Sequence, residues 1–114
     1  MGKSSLMPKN KLKELVVKEH FYYNFYDVLE YTAETFGKTV AKNFKNKALK
    51  AINTLPKLHS IYPQNRFLFS TSEKTYRNIL LNSYYIVFCV TENSVTVLDI
   101  IYQSRDPVLI AKIQ

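Results

Sequence analysis

The chain has 114 residues, 46% of them hydrophobic, which suffices for one domain with a real core and is too little for two. With only 2 Gly and 4 Pro it is neither loop-dominated nor low-complexity, and its apolar content excludes global disorder. Lys plus Arg number 16 against 9 Asp plus Glu, and the resulting charge of +7 favours nucleic acid, an acidic protein segment or a membrane surface without choosing among them.

Cys89 is the single cysteine, so no internal disulfide forms, and its place in an apolar run reads as a buried small hydrophobe. No Cys/His cluster has metal-ligand spacing, and no cofactor is expected. No apolar run approaches the roughly 20 residues that span a bilayer. Residues 1–13 carry lysines but no apolar stretch, which is unlike a signal peptide, and Leu6 departs from the myristoylation pattern. The expectation is a cytoplasmic protein with a flexible basic tail over residues 1–11.

A short strand is predicted over residues 12–17, with Leu15, Val16 and Val17 as its apolar part. From residue 19 to 36 the period becomes helical: Phe21, Phe25, Val28, Leu29, Thr32 and Phe36 share a face, and Gly37 marks the stop. Thr39 is the expected cap of a second helix running from Val40 to about Leu55, with Ala41, Phe44, Ala48, Ala51, Ile52 and Leu55 inward and Pro56 ending it. Two amphipathic helices joined at one glycine form an antiparallel hairpin.

The hairpin is electrically divided. The first helix holds Glu19, Asp27, Glu30 and Glu34 and no Lys or Arg; the second carries Lys38, Lys42, Lys45, Lys47 and Lys50, with Lys57 following. Two readings follow: the helices pair their charges with each other and with solvent, or the lysines form a cationic surface for a partner.

After a connector over residues 57–65 come strand candidates at 66–70, 75–81, 83–90 and 95–102, with a turn at Thr91-Glu92-Asn93-Ser94. The first two are the least sharply bounded. The near-continuous apolar runs of the last two mark central strands. Gln103-Ser104-Arg105-Asp106-Pro107 breaks the pattern, and residues 108–113 are a short apolar tail. Helices grouped ahead of a meander define an α+β fold: an N-terminal strand and a helical hairpin packed on one face of a curved, mainly antiparallel sheet of three to five strands.

This order resembles the RelE/ParE superfamily, the toxins of type II toxin–antitoxin modules. The matching pieces are Tyr31 and Phe36-Gly37, the Leu55-Pro56 step, Tyr76-Arg77, the strand from Tyr84 to Val90, the strand from Val95 to Ile100, and Arg105-Asp106-Pro107. The resemblance covers roughly residues 12–107 and implies a single toxin domain over residues 12–114, of bacterial type and associated with plasmid stabilization and growth inhibition. It also implies a cognate antitoxin, acidic and folding as it binds, and no membrane partner.

Two mechanisms divide the superfamily. RelE-like members are ribosome-dependent mRNA endonucleases; ParE-like members poison DNA gyrase by binding it. A nuclease needs cations for the scissile phosphate and a group to move the 2′-hydroxyl proton. Arg77 and Arg105 match two of the family's cationic positions, with Tyr85 or His59 as further candidates for the proton. Tyr85 falls where a third-strand cation is wanted, Ile79 at the adjacent second-strand basic position, and Ala111 near the C-terminal Tyr. Tyr84 and Tyr102 could stack bases or handle a proton, or simply pack as strand tyrosines, and His20 stands alone in sequence. The hairpin and the Arg-Asp-Pro ending look closer to the ParE branch, which requires no catalytic set. In that branch Lys38, Lys42, Lys45, Arg77 and Arg105 serve the antitoxin or target surface. A third reading is a non-toxic small nucleic-acid-binding protein, which lacks an RNP, KH or helix-turn-helix signature; a fourth is a decayed toxin kept only as an antitoxin sink.

Overall fold

A first strand, β1 (Glu14–Val17), supplies Leu15 and Val17 to the core. It starts two residues later than the expected 12–17, because Leu12 is exposed and Lys13 turns its ammonium to the Thr91 and Glu92 carbonyls. The computed structural model describes residues 12–65 and 68–103; the expected tail at 1–11, Arg105-Asp106-Pro107 and the segment 108–113 lie outside them.

Helix α1 (Glu19–Phe36) buries Phe21, Phe25 and Thr32 at the expected spacing, with Val28 and Leu29 packed beside them, but Phe36, expected on the same face, is exposed where the helix ends at Gly37. The Thr32 hydroxyl donates to the Val28 carbonyl at 2.7 Å, so its burial leaves no unpaired polar atom. Gly37 then adopts φ 101° and ψ 159°, a region essentially reserved for glycine, while its N–H closes on Ala33 O at 3.0 Å.

Helix α2 (Lys38–Leu58) begins immediately, which corrects the expectation of a Thr39 cap: Gly37 occupies the N-cap, Thr39 lies in the first turn, and no side chain caps the helix. One residue reverses the chain, so no room remains for a separate capping residue. Pro56 also corrects the expected terminus. It sits inside α2, where burial of Ile52 and Leu55 holds the last turn despite the missing N–H. A 3-10 turn, His59–Ile61, continues from it.

Strands β2 (Thr75–Leu81), β3 (Tyr84–Val90) and β4 (Ser94–Tyr102) form an antiparallel meander, and β1 joins the outer side of β4 in parallel, giving the order β1-β4-β3-β2. Asn82, at φ 55°, makes the tight β2–β3 turn. The strand expected at 66–70 is absent from its described part, residues 68–70. Instead an irregular segment shields the β2 edge: Asn65 N–H donates to Tyr76 O at 2.8 Å and Asn78 N–H to Pro63 O at 3.1 Å. The Asn65 side-chain oxygen accepts from Leu68 N–H at 3.1 Å.

The sheet has two unequal faces. The helices cover one, where Phe21, Phe25, Phe44, Ala48, Ile52 and Leu55 meet Ile79, Ile86, Phe88, Val95, Val97 and Ile100. Each large side chain so buried contributes about 1.5–3 kcal/mol. The other face holds a smaller cluster of Leu68, Tyr76, Val87, Cys89 and Ile101, with Cys89 buried as expected. Two-sided burial is why Ile86, Val87, Phe88 and Cys89 form an unbroken apolar run.

Candidate functional site

On α2, Lys38, Lys42 and Lys45 recur at i, i+4 and i+7 and therefore share one exposed ridge beside the buried stripe. Lys47, Lys50 and Lys57 are also exposed. Among the described residues no ion pair joins α1 to α2; the one ion pair found is His20 Nε2 to Asp99 Oδ2, at 3.3 Å. The mutual-pairing reading of the divided hairpin thus lacks direct contacts, and the lysine ridge faces solvent.

Arg77 lies elsewhere. It pairs with Phe88 across β2 and β3, on the helix-covered face, and its Nη1 donates to Tyr62 O at 2.6 Å. Tyr62 follows the turn that ends α2, and about 30 Å of helix separates that end from Lys38. Arg77 and the lysine ridge are therefore not one patch. His59 belongs with Arg77: burial first, then the charges of Lys13 and Arg77, push its imidazole below the ordinary 6.5. A neutral imidazole bounded by two cations forms a small basic corner.

Tyr85 lies on the opposite side of the sheet from Arg77, with Tyr76, Val87 and Cys89. The structure does not bring Arg77, Tyr85 and His59 together, and Arg105 is outside the described residues. The face away from the helices carries no Lys or Arg on its strands: β2 presents Tyr76, Asn78 and Leu80, β3 presents Tyr85, Val87 and Cys89, and β4 adds Leu98 and Ile101. Lys74, just ahead of β2, is at its rim. Burial pushes the Cys89 thiol up, only partly opposed by Lys74 and a hydrogen bond with Tyr76, so it is no activated nucleophile. A cavity of about 340 Å³ on this face is lined by Gln64, Asn65, Asn78, Leu80, Tyr85 and Gln103, amides and a phenol rather than charges.

Asp99 escaped the sequence reading, although a lone carboxylate inside the apolar run of β4 is a visible signal. It is buried, and its Oδ1 accepts from Asn24 Nδ2 at 2.6 Å and from Ile100 N–H at 2.8 Å. His20 approaches the second oxygen and lies 3.2 Å from Asn24 Nδ2. Here β4 bulges: Val87 opposes Asp99 and Phe88 opposes Val97, leaving Leu98 as the extra residue. Asp99 thus ties the start of α1 to the kink in β4, a positioning role. Among the described residues no group of three or more His, Cys, Asp or Glu can hold a metal ion, and no helix is long and apolar enough to cross a membrane.

The sequence profile of the family described as ParE toxin of type II toxin-antitoxin system, parDE, matches residues 21–107, well over half of the chain. The chain belongs to the ParE toxin family. It is the toxin of a type II toxin–antitoxin system. Two solved structures share the fold of this ParE-family chain. The chromosomal ParDE TA system from P. aeruginosa superposes with a TM-score of 0.63 at 11% identity, covering 80% of this chain and 96% of that one. The archaeal RelE-RelB complex from Pyrococcus horikoshii OT3 gives 0.58 at 10% identity, covering 84% and 100%. A search among curated protein sequences finds no match. The expected RelE/ParE architecture, with two helices over one face of a mainly antiparallel sheet, is the one observed.

Proposed function

We propose that this ParE-family toxin acts by binding DNA gyrase rather than by cutting RNA, and that an acidic antitoxin neutralises it by covering the α2 lysines. The lack of Lys and Arg on the strands of the sheet face away from the helices carries the reading. Cleaving a phosphodiester requires cations around the phosphate as charge develops. The strands of the face away from the helices offer none, and Arg77 points to the helix side, its guanidinium donating to the Tyr62 carbonyl. A toxin that works by protein contact needs only a stable surface.

The antitoxin side rests on the ridge of Lys38, Lys42 and Lys45, unpaired among the described residues and matched to a negatively charged segment that folds as it wraps. Arg105, three residues after β4 in sequence, is the further cation of the same expectation.

The test is in vitro. Purified toxin added to gyrase and supercoiled plasmid should accumulate covalent cleavage complexes, while toeprinting of translated mRNA should show no codon-specific cuts. Ribosome-dependent cuts without gyrase complexes would establish the endonuclease reading instead. Growth arrest on induced expression without antitoxin excludes the decayed-toxin reading.

A further inference from the structure

We infer that the pocket where α1 crosses the ends of β3 and β4 receives an arginine side chain from a partner protein. Its volume is about 240 Å³, and Asn24, Asp27, Tyr31, Tyr84, Ile100 and Tyr102 line it. This inference stands apart from the gyrase reading and uses a different surface from the lysine ridge.

The lining combines what a guanidinium needs. Three phenols arrive from three elements: Tyr31 from α1, Tyr84 from β3 and Tyr102 from β4. The Tyr84 and Tyr102 rings meet edge to face, with centroids 5.5 Å apart and planes at 67°. Phe44 backs Tyr84 at 5.8 Å and 61°, fixing that ring from the core side. Ring faces attract cations through the quadrupole, and preset rings do so without a further ordering cost. The Tyr84 phenol is pushed up by burial first and then by Tyr31 and Tyr102, so its O–H stays neutral.

Asp27 supplies the counter-charge. It is exposed, takes part in no ion pair among the described residues, and sits one helical turn before Tyr31. Asn24 adds an acceptor: its Nδ2 is committed to Asp99, which leaves Oδ1 directed away from that bond. The rest of α1 has acids and no Lys or Arg, so an anionic ligand is repelled here while a cation is drawn in. A guanidinium suits the pocket better than an ammonium because it is planar, weakly hydrated, stacks on rings and donates to several acceptors at once. Tyr31 and Tyr102, at 56% and 47% exposed, are the site residues least needed by the core.

The test is an NMR titration of the full chain with an acetylated, amidated Gly-Arg-Gly tripeptide. Controls carry citrulline, lysine or glutamate at the centre. Ring signals of Tyr31, Tyr84 and Tyr102 should move saturably, with a Kd on the order of 1 mM. The citrulline peptide should bind at least about three-fold more weakly, and Asp27→Asn and Tyr31→Leu should each lower affinity roughly three-fold while the remaining backbone signals stay in place. Both variants alter exposed side chains, so a preserved spectrum separates loss of the site from loss of the fold. Absence of saturable shifts at the three tyrosines, citrulline binding as well as arginine, or full affinity in both variants would overturn the inference. Equal binding of the lysine peptide would overturn the choice of guanidinium.

Discussion

Helices α1 and α2 feed one core from similar stripes, yet they turn opposite chemistries outward. Behind Phe21 and Phe25, α1 shows Tyr22, Tyr23, Tyr26 and Tyr31 among four acids; behind Phe44, Ala48 and Ile52, α2 shows lysines. The inner faces are constrained by packing, because they must fill the same space over Ile86, Phe88 and Val97. The outer faces are not constrained by folding, and no ion pair joins them among the described residues. Under the two proposals above, that difference serves binding: an anionic partner for α2 and a cationic group for the tyrosine end of α1.

The comparison can be broken from the inside. Phe44→Ala removes a ring that touches both Phe25 and Tyr84, so it should cost about 3–5 kcal/mol in urea unfolding and weaken both surfaces together. Gly37→Ala tests the joint. A side chain there meets no atom within 4 Å, yet φ 101° disfavours it, so a loss of about 1–3 kcal/mol from backbone strain alone is expected. A stability unchanged within about 0.5 kcal/mol would show that the hairpin does not depend on that conformation.

Charge reversal sharpens the same contrast from the outside. Lys42→Glu with Lys45→Glu should leave the unfolding midpoint nearly unchanged and lower antitoxin affinity about ten-fold, with a matching loss of salt dependence. Adding Arg105→Glu should weaken the complex further. Unchanged affinity at physiological salt would remove the lysine ridge from the interface.

The smallest effect concerns His59, at the far end of α2. Its folded pKa is depressed, so the unfolded chain takes up a proton first as pH falls. Stability is then complete above the ordinary value of 6.5 and declines as pH drops from there toward the lower folded value. His59→Gln should flatten that part of the curve, measured as the urea midpoint between about pH 7.5 and 5. An identical slope in the variant would place the titration elsewhere.

Much of this architecture was legible because periodicity reports burial directly. Phe21, Phe25 and Thr32 announce the inner stripe of α1, and the runs Tyr84–Val90 and Val95 to Tyr102 announce central strands covered on at least one face. Local chemistry misled where tertiary contacts decide. Pro56 is a helix breaker in isolation, but buried neighbours carry α2 past it; Thr39 is a good cap, but Gly37 leaves it no place to act. The site was harder to read. Which face Arg77 occupies depends on strand register, and spacing in sequence does not reveal that Tyr31, Tyr84 and Tyr102 converge. Asp99 owes its importance to a bulge that only pairing geometry exposes.

The parallel pairing of β1 with β4 has a consequence for how the toxin comes into being. Leu15 meets Val95 and Val17 meets Val97, so the first strand finds its partner only after the polypeptide has been made through the last one. Contacts this distant in sequence form late, after local helices and hairpins. A growing chain stopped before Ser94 has no neighbour for β1, so the four-stranded sheet closes only once β4 has been made.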